Sequence, residues 1–135
     1  MLWQVQPSGE VPIYRQLMRQ VEEAIASGRL ATGDRLPSHR ELAEQLVVAP
    51  LTVKKAYDEL ERAGLITTQQ GRGTFVSARA AAASRPQRIE RLREPVRRLV
   101  GQALLAGLAT DDLHRLIDAA ARDWARERKQ SARRR

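Results

Sequence analysis

Cysteine is absent from the 135 residues. That removes disulfides, thiolate metal sites and cysteine nucleophiles together, and it suits a reducing compartment. Aromatic residues make up 4% of the chain, too few for a single-strand or RNA binder that stacks bases on Phe, Tyr or Trp. No stretch approaches the ~20 consecutive apolar residues of a membrane span. The start, MLWQVQPSGE, lacks the basic and apolar regions of a secretory signal. A cytoplasmic protein with no membrane partner is the expectation. The two histidines, His39 and His114, have no Cys, His or carboxylate at ligand spacing, so no metal is expected. Gly-rich phosphate loops, nucleophile elbows and catalytic carboxylate pairs are also missing. The chain therefore reads as a non-enzyme without a cofactor.

What is present is a net charge of +8, unevenly spread: residues 1–77 hold nine Lys/Arg and nine Asp/Glu, residues 78–135 fifteen and seven. A basic excess suggests a polyanionic partner. Here it lies in the second half, so individual side chains have to carry any argument for the first.

Hydrophobic periodicity organises the chain. After Pro12, Ile13, Leu17, Val21, Ala24 and Ile25 form one helical stripe that stops at Gly28. Thr32-Gly33-Asp34 marks a turn in a tight connector, which has room for a short strand. Ser38, with Glu41 three residues on, predicts a capping box and a helix over about 39–46. Pro50 opens a further helix, with Val53, Ala56, Tyr57 and Leu60 on its inner face and Gly64 as its stop. Two short helices across a three-residue turn make a helix-turn-helix. LITTQQ and TFVSA, separated by Gly71-Arg72-Gly73, predict a hairpin. A linker over 79–86 follows. Beyond it, Leu92, Val96, Leu99, Val100 and Leu104 mark one amphipathic helix, which Pro95 should kink or restart. Leu113, Leu116, Ile117 and Trp124 mark another that Thr110 can cap. A basic tail, SARRR, is expected to fray.

The fold class predicted is mainly α. An N-terminal winged helix-turn-helix over 11–78, of three helices plus a β-hairpin wing, precedes a two-helix C-terminal dimerisation unit over 87–130 and a flexible tail over 131–135.

A helix that enters the major groove needs small or basic side chains in its first turns. Pro50, Leu51, Thr52, Lys54 and Lys55, with Asp58, form the outward set. The lysines suit phosphates or guanine acceptors, Thr52 a phosphate or base, and Leu51 a thymine methyl; a solvated helix face is the plain alternative for the lysine pair. Ser38 and Arg40 lie at the start of the preceding helix, where Arg40 could clamp a phosphate or pair with Glu44. At the hairpin tip, Gln70, Gly71 and Arg72 suit the minor groove or a phosphate.

The run LPSHRELAEQLVVAPLTVKKAYDELERAGLITTQQGRGTFVSA, with PIYRQLMRQVEEAIASGRLATGDR before it, resembles the DNA-binding domain of the GntR family of bacterial regulators. Short length, the PIYRQL opening, APLTVKKAY and two C-terminal helices are similar to its YtrA subfamily. The resemblance implies a dimeric repressor acting on double-stranded DNA with an inverted-repeat operator, often beside ABC-transporter genes. It implies a phosphate-contacting role for Arg40 and a basic recognition position at Lys54. Where many members carry Ser-Arg or Thr-Arg, this chain has Ala49-Pro50. Two other readings stay open: a protein-interaction module built on the C-terminal helices, and a sensor for an unknown small-molecule effector held between them.

Overall fold

The computed structural model describes residues 1–134, apart from the side chain of Ala80. It contains α1 (Ile13–Ala26), β1 (Arg35–Leu36), α2 (His39–Leu46), α3 (Pro50–Arg62), β2 (Ile66–Gln69), β3 (Gly73–Val76), α4 (Arg79–Ala82), α5 (Arg85–Leu105) and α6 (Thr110–Arg134). The chain divides into two compact units, the first Met1–Ala80 and the second beginning at Ala81.

In the first unit α3 packs against both α1 and α2. The predicted apolar stripes meet there: Leu17 and Val21 from α1, Leu42 from α2, and Val53, Ala56, Tyr57 and Leu60 from α3 are buried with Leu36 and Ile66. Burial of this kind stabilises by roughly 1.5–3 kcal/mol per large aliphatic side chain. The predicted hairpin gains a third strand, because β1 pairs antiparallel with β3 (Leu36 opposite Thr74) and the sheet order is β1-β3-β2. A two-residue strand is too short to show a period, so the sequence could offer it only as a possibility in the connector.

Helix ends fix how these elements turn. At the end of α3, Gly64 takes φ 80°, and its N–H donates to the Glu61 carbonyl at 2.9 Å while that of Leu65 reaches Leu60 at 3.0 Å. This paired closure needs a left-handed residue. The end of α2 closes in the same way, with Val47 N–H on Glu44 at 3.3 Å and Val48 N–H on Ala43 at 3.0 Å, but the left-handed residue is Val47 at φ 55°. A β-branched side chain there is strained.

The first eleven residues, unassigned from sequence, dock on α1. Gln20 accepts from the Gln4 N–H at 3.0 Å and donates to the Gln4 carbonyl. Gln16 does the same for Gln6, at 2.8 and 3.0 Å. Each glutamine amide thus imitates one rung of a strand ladder, and Trp3 and Val5 pack against the core.

In the second unit, Ser84 and Gln87 form a reciprocal capping box that starts α5 within the expected linker, of which Arg79–Ala82 is itself helical. Pro95 does not restart α5, which continues to Leu105. Residues around it are exposed, so water can hydrate the carbonyl that loses its N–H partner. Likewise α6 continues through the expected frayed tail to Arg134, its last-turn arginines complementing the helix dipole. Arg135 lies outside the described residues. No helix among the described residues is long and apolar enough to cross a membrane.

Candidate nucleic-acid interface

The site is organised by the approach to α2. Pro37 keeps the preceding chain extended, and Ser38, as N-cap, accepts from the Glu41 N–H at 3.1 Å. The Pro37 carbonyl in turn accepts from the buried Tyr57 hydroxyl at 2.7 Å, which ties the start of α2 to the middle of α3. Burial, helped by the Glu41 carboxylate, pushes the Tyr57 phenol well above its ordinary range. This hydroxyl is a fixed donor at any physiological pH.

With α2 and α3 locked, the wing completes a cleft of about 770 Å³. Ser38 and Arg40 reach it from α2, Lys54 from α3, and Gln70, Gly71 and Arg72 from the wing tip. Six of the ten expected contact residues therefore share one surface. Arg40 is exposed and has no ion pair among the described residues. Lys54 is held by Asp58 at 2.9 Å, with both side chains about half exposed. Such a pair is worth no more than about 1 kcal/mol, so a phosphate can displace the aspartate. The tip is a turn closed by the Arg72 N–H on the Gln69 carbonyl at 3.0 Å.

Pro50, Leu51 and Thr52 stand apart from that cleft, at the first turn of α3. Lys55 is on another flank: its ammonium sits 4.2 Å from the centroid of the Tyr14 ring on α1. Arg15, whose Nε donates to the Tyr14 hydroxyl at 3.1 Å, lines the same small hollow.

Two contributors were not singled out from sequence. Arg35 of β1 lines the cleft, and its side chain crosses Gly73 so closely that a Cβ there would lie 3.0 Å from the Arg35 Nε. Glu61 of α3 accepts from the Thr68 N–H on the wing's outer strand at 3.1 Å, fixing the wing's angle to α3. Gly73 was the sequence hint for the first; the second depends on a contact across the fold and leaves no local signal. The cleft carries Arg35, Arg40, Lys54 and Arg72 against Asp58 and Glu61. Charge of that sign and spread suits a sugar-phosphate backbone.

Residues 13–76 match the family model described as "Bacterial regulatory proteins, gntR family". The chain is 38% identical over 120 residues to the HTH-type transcriptional repressor YtrA of Bacillus subtilis (strain 168), covering 89% of this chain and 92% of that one. It belongs to the GntR family. Among solved structures, YtrA from Sulfolobus acidocaldarius, a GntR-family transcription factor, superposes with a TM-score of 0.59 at 36% identity, over 76% of this chain and 96% of that one. A protein described as a transcriptional antiterminator from Listeria monocytogenes EGD-e gives 0.78 at 30% identity, over 92% of both. The GntR membership and the geometry agree on a YtrA-like winged helix-turn-helix transcriptional regulator, not an enzyme.

Proposed function

We propose that the chain is a cytoplasmic, homodimeric repressor that binds an inverted-repeat operator in double-stranded DNA, controlling its own or an adjacent transporter operon. The observation that carries the DNA reading is the convergence of Arg35, Arg40, Lys54 and Arg72 on one cleft along the Lys54–Glu61 stretch of α3. The first unit, Met1–Ala80, is the DNA-binding part, and the helices beyond it pair two chains.

Dimerisation is supported by the apolar stripe of α5. Leu92, Val96, Leu99, Val100 and Leu104 are between 36% and 66% exposed, and on α6 Leu116 and Ile117 are 58% and 48% exposed. No side chain of α5 is buried. Trp124 is half-buried, and Leu113 is already buried in the single chain, which leaves it little area to offer a partner. Pairing would set two recognition helices on half-sites about 34 Å apart.

Fluorescence anisotropy with an inverted-repeat duplex from the chain's own upstream region tests the operator. Affinity no better than for a scrambled duplex overturns it. Light scattering tests the pairing. A monomer would instead give the α5 stripe to a different protein, the second reading that the same exposed face supports.

A further inference from the structure

Beyond Met1 and Leu2, the large apolar side chains that the first unit leaves exposed are Val47, at 89%, and Leu51, at 77%. Both belong to the helix-turn-helix: Val47 ends α2 and Leu51 is the second residue of α3. Between them Ala49 and Pro50 are exposed as well. The tip of the motif is therefore a run of aliphatic side chains that can neither donate nor accept a hydrogen bond, and Pro50 removes a backbone donor too. Val48, the apolar neighbour, turns to the core instead. Exposure here is costly twice over, since Val47 also holds a strained left-handed backbone.

The base edges of the major groove are hydrogen-bonding groups with one apolar exception, the C5-methyl of thymine. An aliphatic tip cannot satisfy the guanine, adenine or cytosine edges, and it would desolvate them without recompense. The tip itself does not line the basic cleft, but the same two helices feed that cleft, α2 through Arg40 and α3 through Lys54, three residues after Leu51, and so supply backbone attraction on the same unit. We propose that Leu51, supported by Val47, reads thymine through its methyl group, so that discrimination at the start of α3 is methyl contact and not hydrogen bonding. This rests on the DNA-binding reading of the cleft.

The test uses the full chain and a randomised 30-base-pair duplex pool, from which bound duplexes are selected and the consensus synthesised. It is made once with thymidine and once with deoxyuridine, which keeps every hydrogen-bonding group and lacks only the methyl. Wild type should bind the deoxyuridine duplex more weakly, by about fourfold for each methyl contacted. Leu51→Ala, at an exposed helical position, should fall to the weaker affinity on thymidine DNA and lose the thymidine-to-deoxyuridine ratio. Equal wild-type affinity for both duplexes overturns methyl reading while leaving DNA binding intact. A Leu51→Ala loss that is the same on both duplexes, with the ratio preserved, also overturns it, because Leu51 then supports binding by a contact that does not involve the methyl. Failure to enrich any duplex overturns the DNA reading itself, and the proposal with it.

Discussion

Lys54 and Lys55 are adjacent in sequence, yet the fold sends them to different flanks of α3: Lys54 pairs with Asp58 at 2.9 Å beside the wing, while Lys55 lies 4.2 Å from the Tyr14 ring centroid. Successive helical residues are about 100° apart, so a lysine pair cannot serve one surface equally.

The two single substitutions should therefore separate. Lys54→Ala is expected to weaken binding to all duplexes and to reduce the slope of log K against log salt by about one. Lys55→Ala should leave that slope unchanged and lower stability by about 0.5–1 kcal/mol, the worth of an exposed cation–π contact. Asp58→Asn, which releases Lys54 and removes a negative charge from the cleft, should tighten binding. Anisotropy titrations at several salt concentrations, with thermal melts, check all three. An equal slope change for Lys54→Ala and Lys55→Ala would place both lysines on phosphates and refute the separation.

Val47 supplies the left-handed residue at the end of α2, where α3 uses Gly64 for the same closure. A β-branched residue in that region costs about 1–2 kcal/mol, whereas asparagine adopts it readily. Val47→Asn should raise the unfolding free energy by about 0.5–1 kcal/mol, because the side chain it removes is 89% exposed and little packing is lost. Chemical denaturation measures this; an unchanged or lower midpoint would mean the backbone there is unstrained. Stability and DNA affinity should move in opposite directions, since the same substitution alters the aliphatic tip.

Much of this architecture is legible in the sequence because local chemistry and fold agree. Ser38 caps α2, Gly64 ends α3, and Gly71 takes the left-handed place within the wing turn, each at a position that suits its residue type. Ser38, Arg40, Lys54, Gln70, Gly71 and Arg72 reach one cleft for the same reason: the motif fixes their elements. Legibility fails where a contact joins distant segments. Arg35 acts from a two-residue strand that exists only by pairing with β3. Glu61 looks like one of several helix-surface carboxylates until the wing folds back onto it. Lys55 groups with Lys54 in the sequence because nothing local reveals that Tyr14 stands beside it. The continuity of α5 through Pro95 is a matter of solvent access, which sequence periodicity does not report.

Tyr57 joins α3 to the approach of α2 through the Pro37 carbonyl, at 2.7 Å. Tyr57→Phe keeps the ring in the core but leaves that acceptor unpaired, a loss of about 1–2 kcal/mol. The pH dependence has a definite sign. Burial raises the folded phenol above its ordinary value, so below about pH 10 both states are protonated and nothing is lost. As pH rises past that value the unfolded chain ionises first and stability falls. Tyr57→Phe should therefore be less stable than wild type at neutral pH and show a shallower decline above pH 10. Parallel curves for the two proteins over pH 9–11 would show that Tyr57 ionises as readily folded as unfolded.

The N-terminal segment depends on two glutamines whose spacing matches two different backbones. Gln4 and Gln6 are two residues apart, about 6.6 Å in an extended chain, while Gln16 and Gln20 are four apart, about 6 Å along a helix. Near-equality lets each side-chain amide meet one backbone unit, Gln20 at Gln4 and Gln16 at Gln6, with the segment running antiparallel to α1. Gln16 also donates to the Val11 carbonyl at 2.7 Å, closing the loop that leads into α1. Gln16→Ala with Gln20→Ala should release the segment, exposing Trp3 and costing about 1–2 kcal/mol. In a Trp124→Phe background, which leaves Trp3 as the sole tryptophan, release appears as a red shift of its emission and faster amide exchange at Gln4 and Gln6. A single Gln20→Ala should free Gln4 and leave Gln6 protected, since Gln16 still holds it. If Trp3 emission in the double variant matches that of the parent, packing of Trp3 and Val5 alone holds the segment and the glutamines are incidental.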